Sequence, residues 1–381
     1  MKWEFDSRYP SVDDLRERAR KRIPRFAFEY LDGGCNEDIN LHKNTSDIRA
    51  IELVPDYIKK YPGADLRTEL FGHTYDAPFG VCPVGLQGLM WPKASEILAK
   101  AAHTHNVPFI LSTVTTASIE TVAEITEGKA WFQLYHPAKA ELRDDILRRH
   151  ESVGCPVLVL LCDVPSFGFR PRDIRNGLSM PPQMTVRNMM QILGRPRWAM
   201  ETLLAGTPQF ATMKPYMPKG MSMKTLGLFM SQTFSGRLDE ERIAPIRDRW
   251  KGKLVLKGVA GEADAALAAK LGFDGILVSN HGGRQIDVGE SAIHSLKYLA
   301  DRYRGKMTVM MDSGIRSGAD IARTLAAGAE FAFLGRTFMY SVAALGNRGG
   351  DHAMAILKTQ LQQVLEQVGC EKPIQLTQHR K

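Results

Sequence analysis

Short apolar runs alternate with helix-length segments from residue 79 onward. The runs occupy residues 79–84, 107–112, 130–135, 156–162, 253–257, 274–279, 307–311 and 330–334. Runs of this length, separated by helical segments, are typical of a parallel sheet whose strands are joined by crossover helices. Eight such units suffice for a closed barrel, so the pattern predicts an α/β fold of the (β/α)8 type, a TIM barrel.

A doubly wound open sheet is the competing arrangement for the same alternation. That fold favours a GxGxxG sequence directly after its first strand, where glycines let the backbone approach a dinucleotide. The chain instead has PVGLQG at residues 83–88, which matches the motif poorly. The closed barrel is therefore the preferred prediction.

The first 78 residues lack this alternation and have a helical pattern instead. Between residues 11 and 31 apolar positions recur at helical spacing, and Pro24 is suited to divide the stretch into two helices. We expect a single domain with three parts. These are a helical cap at residues 1–78, a barrel at residues 79–350, and a C-terminal helix and tail at residues 351–381.

The regular spacing is interrupted once, after the fourth apolar run. An insertion at residues 176–235 is too long for an ordinary loop between a strand and a helix. It holds ten of the seventeen methionines, and its one acidic residue, Glu201, is outnumbered by Arg187, Arg195, Arg197, Lys214, Lys219 and Lys224. Such a surface suits docking on anionic lipid headgroups, while a lid over the barrel mouth or a disordered segment is the alternative.

Composition places the chain among globular proteins and bears on its compartment. Of 381 residues, 44% are apolar and 24% charged, as in ordinary globular proteins. The N-terminal sequence MKWEFDSRYP has no apolar signal-peptide core, so we expect a cytoplasmic protein, or one bound to the inner face of the plasma membrane.

Five cysteines without a CxxC pair favour neither disulfides nor a metal site. The net charge of +8 is compatible with anionic substrates, anionic lipid or nucleic acid.

A histidine and an arginine follow the sixth apolar run, in the sequence SNHGGRQ at residues 279–285. Catalytic groups of β/α barrels lie at the C-terminal ends of the strands. We therefore interpret His281 as a base and Arg284 as a clamp for an anion. The other polar residues at strand ends are Ser112, Gln133, Tyr135, Asp163, Arg170, Lys257, Ser279, Asp312, Arg316, Gly335 and Arg336.

The last two strand ends have the features of a phosphate site. DSGIR at residues 312–316 and GRT at residues 335–337 each lead into a helix, whose first N–H groups and dipole favour an anion. Glycine permits close approach and arginine offers a bidentate fork. Ordinary loops with surface arginines are the alternative. A phosphorylated substrate or cofactor would fit, and flavin mononucleotide (FMN) is one candidate.

Several motifs occur together in an order that is typical of one enzyme family. They are SNHGGRQID at 279–287, WFQLY at 131–135, LVLKGV at 254–259, DSGIR at 312–316 and LGRTF at 334–338. The chain resembles, from Ile23 to Cys370, the FMN-dependent enzymes that oxidise L-2-hydroxy acids. Glycolate oxidase, lactate oxidase, flavocytochrome b2 and the bacterial membrane lactate and mandelate dehydrogenases are members. The resemblance implies an FMN cofactor and oxidation of a lactate- or mandelate-type acid.

The resemblance also implies roles at the substrate. His281 would take the hydroxyl proton, and Asp163 would orient the imidazole and stabilise its protonated form. The substrate carboxylate would be held by Arg284, Arg170 and Tyr30, with Tyr135 beside the hydroxyl.

Further residues would contact the flavin. Lys257 would stabilise the negative charge that accumulates at N1 and O2 on reduction. The isoalloxazine ring would contact Pro83, Val84, Gly85, Ser112, Gln133 and Ser279. The phosphate would be bound by Arg316, Gly335 and Arg336 and the ribityl chain by Asp312, with Gly314 in the same cofactor-binding loop.

Two positions depart from the family's pattern. Leu161 stands where the family usually has threonine, which removes a hydrogen bond to the flavin or its surroundings. Val114 stands where glycolate oxidase has tryptophan. We therefore expect more room for the substrate's side chain and a substrate other than glycolate.

Members of the family pass electrons to oxygen, to a haem domain or to a quinone. Few residues precede the matching region, so we expect no fused haem domain. GLQGLMWPK at 85–93 and PRWAMETLLAGTPQF at 196–210 look most like the membrane-associated dehydrogenases, and they favour membrane docking and a quinone acceptor. A soluble oxidase that forms hydrogen peroxide is the alternative, and a non-redox isomerase or binding protein is a more remote one. We expect a homotetramer and no nucleic-acid partner.

Overall fold

Eight parallel strands form a barrel in the computed structural model, which describes residues 4–179, 183–206, 208–218, 229, 232–234 and 236–381. The barrel strands are β3 (Phe79–Val81), β4 (Ile110–Ser112), β5 (Trp131–Leu134), β6 (Val157–Leu161), β7 (Lys253–Val259), β8 (Gly275–Val278), β9 (Thr308–Met311) and β10 (Phe331–Leu334). Each coincides with one of the eight apolar runs. The predicted (β/α)8 barrel is confirmed, with helices in the N-terminal segment and an insertion after its fourth strand. Residues 68–75 of the predicted helical cap form two short strands instead.

Hydrogen bonding continues around the barrel in the order β3-β10-β9-β8-β7-β6-β5-β4. The circuit is completed where Val81 bridges Phe109, and the Val81 N–H donates to the Pro108 carbonyl at 2.8 Å. All neighbouring barrel strands are parallel. Their C-terminal ends therefore emerge at one rim, and the side chains that follow them come together there.

Apolar side chains fill the barrel and close its N-terminal end. Inside, the Phe333 ring lies 5.5 Å from the rings of both Trp131 and Phe331. A hairpin of β1 (Thr68–Leu70) and β2 (His73–Tyr75) covers the end at which these strands begin, and Phe71 in its turn packs 5.7 Å from Trp131. The C-terminal rim is the end left for a site.

Helices surround the barrel and extend it at both termini. In the described residues they are α1 (Val12–Arg22), α2 (Arg25–Asp32), α3 (Ile39–Arg49), α4 (Gln87–Met90), α5 (Ala94–Thr104), α6 (Ile119–Thr126), α7 (Ala140–Ser152), α8 (Pro171–Arg175), α9 (Val186–Leu193), α10 (Pro196–Ala205), α11 (Glu240–Arg249), α12 (Glu262–Lys270), α13 (Ala292–Tyr303), α14 (Gly318–Ala326), α15 (Arg336–Leu345) and α16 (Gly349–Val368), with 3-10 turns at Lys214–Tyr216, Gly346–Arg348 and Pro373–His379. Within this part of the chain, no helix has both the length and the apolar character needed to cross a bilayer.

The N-terminal cap reaches the barrel mouth through α2. As predicted, Pro24 separates this helix from α1. The last residue of α2, Asp32, is a buried carboxylate that accepts from Arg16 Nε at 2.7 Å and from the Tyr340 hydroxyl at 2.7 Å. Because α2 is fixed to the barrel in this way, Tyr30 in its last turn lies at the pocket described below.

The described part of the insertion contains short helices packed beside the cap. Trp198 of α10 donates its indole N–H to the Met90 carbonyl at 3.0 Å and meets Phe26 edge to face. Exposed apolar residues of this segment are Met184, Val186, Met189, Met190, Leu193, Met200, Leu203 and Leu204. Other predicted members of the basic, methionine-rich surface lie outside the described residues; they are Lys219, Lys224, Met180, Met221, Met223 and Met230.

Candidate active site

Residues from the cap, the strand ends and the insertion line one pocket at the C-terminal rim. The predicted site residues that line it are Tyr30, Pro83, Val84, Gly85, Ser112, Gln133, Tyr135, Arg170, Lys257, His281, Arg284, Asp312, Gly314, Arg316, Gly335 and Arg336. The two others, Asp163 and Ser279, are bonded to His281 and Lys257 respectively. The structure thus brings together every side chain that sequence reasoning assigned to the site.

A left-handed turn places His281 after the end of β8. His281, Gly282 and Gly283 have φ values of 57°, 66° and 73°, a region that is costly for a residue with a side chain. A Cβ at position 283 would lie 2.6 Å from the backbone of α3, so glycine is required there. The Asn280 amide anchors the turn by exchanging hydrogen bonds of 2.7 and 2.8 Å with Asn44.

Asp163 orients the imidazole of His281. Nδ1 lies 3.1 and 3.2 Å from the two carboxylate oxygens, which assigns the Nδ1 proton to this contact and leaves Nε2 as an acceptor. Burial lowers the pKa of His281 and outweighs the opposing effect of Asp163. Gly258, with a φ of 100°, makes room for this pair, since a Cβ there would lie 2.5 Å from the Asp163 Cβ. A neutral imidazole with a free acceptor is what a general base requires.

Lys257 is a buried cation at the floor of the pocket. Its Nζ lies 2.8 Å from Asp312 Oδ2 and donates to Ser279 Oγ at 3.0 Å. Burial opposes the charged form, but the carboxylates of Asp312 and Asp163 outweigh it and raise the pKa of Lys257. The Cys82 thiol donates to the same Asp312 oxygen at 3.0 Å. The structure therefore holds a permanent positive charge in one position, and it places Asp312 beside that charge.

The guanidinium groups of Arg170 and Arg284 share one side of the pocket. Nη1 of Arg284 donates to the carbonyls of Tyr30 and Gly33 at 2.6 and 2.9 Å. Arg170 donates from Nε to the Arg284 carbonyl at 3.2 Å and from Nη2 to Gln285 Oε1 at 2.8 Å. Nη2 of Arg284 is buried with no hydrogen-bond partner among the described residues. A buried donor without a partner is costly, and this one marks a place for an anionic ligand.

Tyr30 and Tyr135 lie beside the arginines. The Arg284 guanidinium carbon lies 4.8 Å from the centroid of the Tyr30 ring, a favourable cation–π distance. Burial and the nearby Asp163 raise the pKa of Tyr135, so its hydroxyl remains protonated and can donate a hydrogen bond. Phe234 of the insertion packs on Tyr135 with ring centroids 5.5 Å apart.

Arg316 and Arg336, after β9 and β10, differ in their surroundings. Arg336 is buried and donates to the carbonyls of Leu31, Gly33 and Gly282 at 2.9, 2.8 and 2.9 Å. It therefore joins the cap to the histidine turn. Arg316 donates from Nη1 to the carbonyl of the preceding residue, and its other guanidinium nitrogens have no hydrogen-bond partner in the described part of the chain. The helix α15 begins at Arg336 without a side-chain cap, which leaves N–H groups for an anion.

Sequence reasoning did not place several pocket residues. Among the apolar ones are Leu86, Met90, Val164, Phe167, Phe210 and Phe234. Phe210 and Phe234 belong to the insertion, and only the tertiary fold brings them to the strand ends. Asp173 lies between Arg170 and Arg284. Its only signal in the sequence was its position three residues after Arg170, in the basic sequence RPRDIR. Val114 lines the pocket as expected, whereas Leu161 is buried within β6.

Comparison with known proteins gives consistent matches over nearly the whole chain. The family described as FMN-dependent dehydrogenase matches residues 19–380. An L-lactate dehydrogenase of Pectobacterium atrosepticum is 35% identical over 365 residues, 96% of this chain and 94% of that protein. An L-lactate dehydrogenase of Alcaligenes faecalis is 35% identical over 352 residues, 92% of this chain and 93% of that protein.

Solved structures agree with these sequence matches. The crystal structure of the monotopic membrane protein (S)-mandelate dehydrogenase superposes with a TM-score of 0.92 at 31% identity, covering 98% of this chain and 99% of that one. A mandelate oxidase superposes with a TM-score of 0.83 at 28% identity, covering 97% of each chain.

We expect the Asp163→Asn variant to lower the pKa of His281 further, because it removes the carboxylate that favours the imidazolium. NMR titration of the histidine ring protons measures this, with His281→Gln used to assign the signal. Asp301→Asn, at an exposed position of α13, is the control and should leave the His281 pKa unchanged. A His281 pKa that stays the same or rises in Asp163→Asn would contradict the charge interaction.

Proposed function

Because the chain belongs to the family of FMN-dependent dehydrogenases, we propose that it oxidises a lactate- or mandelate-type L-2-hydroxy acid to the 2-oxo acid and passes the electrons to a membrane quinone. One observation carries the proposal. His281, whose pKa is lowered, shares a pocket with two arginines, one of which has a buried and unused donor. A base and an anion clamp suit a substrate with a hydroxyl and a carboxylate on adjacent carbons.

FMN is the cofactor of the family, and the donors of the pocket fit its two ends. At one end, Arg316 and the uncapped first turn of α15 offer N–H donors for the phosphate. At the other, the fixed charge of Lys257, with Gln133 and Ser112, suits the polar edge of the ring. When bound, FMN would accept the two electrons of the C–H bond that breaks at the hydroxyl-bearing carbon, and reduction of the flavin would account for that hydrogen. The family membership also removes the alternatives of a non-redox isomerase or binding protein.

Each side chain around the substrate then has a definite task. The substrate carboxylate would bind Nη2 of Arg284 and Nη1 of Arg170, which would fix the orientation of the hydroxyl-bearing carbon. His281 Nε2 removes the hydroxyl proton, and Asp163 stabilises the imidazolium that forms. The protonated hydroxyl of Tyr135 donates to the substrate oxygen, since the pKa of this tyrosine is raised.

The remaining wall of the pocket is apolar, which favours a substrate side chain without charge. Its residues are Leu86, Met90, Val114, Val164, Phe167, Phe210 and Phe234. A methyl and a phenyl group are both apolar and uncharged, so both are retained as candidates, in keeping with the lactate and mandelate enzymes to which the chain is similar.

The exposed apolar side of α9 and α10 supports peripheral docking on the inner face of the plasma membrane. Leu193, Leu203 and Leu204 are 78%, 83% and 79% exposed, beside Arg187 and Arg195. Apolar side chains next to cations suit insertion into an anionic headgroup layer. The same segment contributes Phe210 to the pocket, so a membrane-bound quinone would be held close to the flavin site. The (S)-mandelate dehydrogenase with a similar structure is a monotopic membrane protein.

Cap, barrel, insertion and C-terminal helix act as one domain, since cap and insertion both contribute residues to the pocket. A homotetramer is the proposed assembly, on the basis of the family resemblance. Light scattering of the holoprotein tests this, and a monomer would exclude it.

Adding L-lactate or (S)-mandelate to the holoprotein without oxygen should bleach the flavin absorbance. His281→Gln should retain FMN and slow the bleaching by about 10²- to 10⁴-fold, the usual effect of losing a general base. Stopped-flow absorbance measures the rate, with His294→Gln on α13 as the control. A purified protein without FMN, or wild-type flavin that no L-2-hydroxy acid reduces, would contradict the proposed function.

The electron acceptor is tested on the reduced protein. Mixing it with a ubiquinone analogue should reoxidise the flavin much faster than mixing it with air-saturated buffer. Rapid formation of hydrogen peroxide would instead identify an oxidase, the activity named for the similar mandelate oxidase.

Replacing Leu203 and Leu204 together by glutamate should release the protein from vesicles that contain anionic phospholipid. Burial of one leucine contributes about 1.5–3 kcal/mol, so binding should fall by at least about tenfold in a sedimentation assay. The matched control is Ile58→Glu, since Ile58 is 98% exposed outside the insertion. Equal vesicle binding by the double variant and the wild type would exclude docking through this surface.

A further inference from the structure

A buried carboxylate lies between the two arginines of the clamp. Asp173, on the short helix α8, is 7% exposed. Its Oδ2 lies 3.8 Å from Arg170 Nη1 and 3.7 Å from Arg284 Nη2. Both distances are longer than a hydrogen bond. Asp173 therefore acts on the clamp through its charge.

The two guanidinium nitrogens nearest Asp173 are Nη1 of Arg170 and Nη2 of Arg284, and both remain available to bind a ligand. Nε and Nη2 of Arg170 and Nη1 of Arg284 are already engaged by backbone carbonyls and Gln285. Nη2 of Arg284 has no hydrogen-bond partner in the described residues. A ligand carboxylate and Asp173 thus interact with the same pair of nitrogens, and the charge of one affects the binding of the other.

Neighbouring charged groups are paired elsewhere. Arg172 forms ion pairs with Asp32 and Asp38. Glu29 accepts from Asn176 and Arg25, both at 2.6 Å. The local charge at the clamp is therefore set by Arg170, Arg284 and Asp173, which together carry one net positive charge.

Burial raises the pKa of Asp173, while Arg284 and Arg170 favour its ionised form. A buried site strengthens the effect of any single charge on a ligand, because the effective dielectric constant is lower than in water. One net positive charge is balanced by one ligand carboxylate. The charge of a second carboxylate on the ligand would not be neutralised by Arg170, Arg284 and Asp173.

We propose that Asp173 is a positioning residue that limits the clamp to monocarboxylates, by cancelling one of the two guanidinium charges that face the substrate. The inference rests on the proposed function, because it takes Arg170 and Arg284 as the binding site for the substrate carboxylate. It deepens that function by excluding 2-hydroxy dicarboxylic acids as the preferred substrates.

Two ligands of nearly the same size test this on the FMN-loaded protein. Malonate carries two negative charges near neutral pH, and its monoamide, malonamate, carries one. Titration of each, followed by the change in the visible flavin spectrum, gives two dissociation constants and their ratio. A change in folding or in pocket shape affects both ligands, whereas a change in clamp charge alters the ratio.

Asp173→Asn should shift this ratio in favour of malonate by about tenfold, the scale of one nearby charge in a partly buried site. Asp173→Glu should keep the wild-type ratio. Glu29→Gln, which removes the same charge from the neighbouring helix α2, is the matched control and should also keep it. If Asp173→Asn yields no holoprotein, Asp173→Ser is titrated instead with the same expectation.

A ratio in Asp173→Asn or Asp173→Ser equal to that of the wild type would overturn the role of Asp173. This result is distinct from failure of the proposed function. If the wild-type holoprotein binds neither ligand and no L-2-hydroxy acid reduces its flavin, the pocket is not a carboxylate site and both proposals fall. Wild-type binding with an unchanged ratio in the variants removes only the inference about Asp173.

Discussion

The buried guanidinium of Arg336 joins the parts of the molecule from which the site is built. It donates to the carbonyls of Leu31 and Gly33 in the cap and of Gly282 in the histidine turn. The cap and the histidine turn are far apart in the sequence, and no covalent bond links them directly. Burying an arginine is costly unless its donors find acceptors, and these three hydrogen bonds hold cap and turn in one relative position. The positions of Tyr30 and His281 depend on it.

The cationic side chains of the pocket are of two kinds. Some are engaged in contacts within the protein, and others have donors that are free to bind ligands. Lys257 is neutralised by Asp312, and Arg336 donates to three backbone carbonyls, so both are fixed. Arg284 retains an unused donor and Arg316 has unengaged nitrogens. The first pair shapes the site, and in the proposed function the second pair binds the two anionic groups that the reaction requires, the substrate carboxylate and the cofactor phosphate. Asp173 moderates the charge at the first of these positions.

Much of this arrangement could be predicted from the sequence, for a physical reason. Parallel barrel strands are buried on both faces, so they are nearly continuous apolar runs, and the eight runs marked the eight strand ends. His281, Lys257 and Arg316 follow from those ends. The use of Arg336 to hold the cap, 305 residues away from Leu31, depends on a tertiary contact that no local pattern encodes. Phe210 and Phe234 were missed for the same reason, since they reach the pocket from the insertion. Asp173 was missed although it lies three residues after Arg170, because only the fold brings it close to Arg284.

The central claim is that one rim combines a base with a clamp for the substrate carboxylate. A crystal structure of the FMN-loaded protein with a bound 2-oxo acid tests it most directly. We predict a carboxylate within hydrogen-bond distance of Arg170 Nη1 and Arg284 Nη2, and the keto oxygen within reach of His281 Nε2. An acid bound away from both arginines, or a His281 imidazole directed away from the bound acid, would contradict the account.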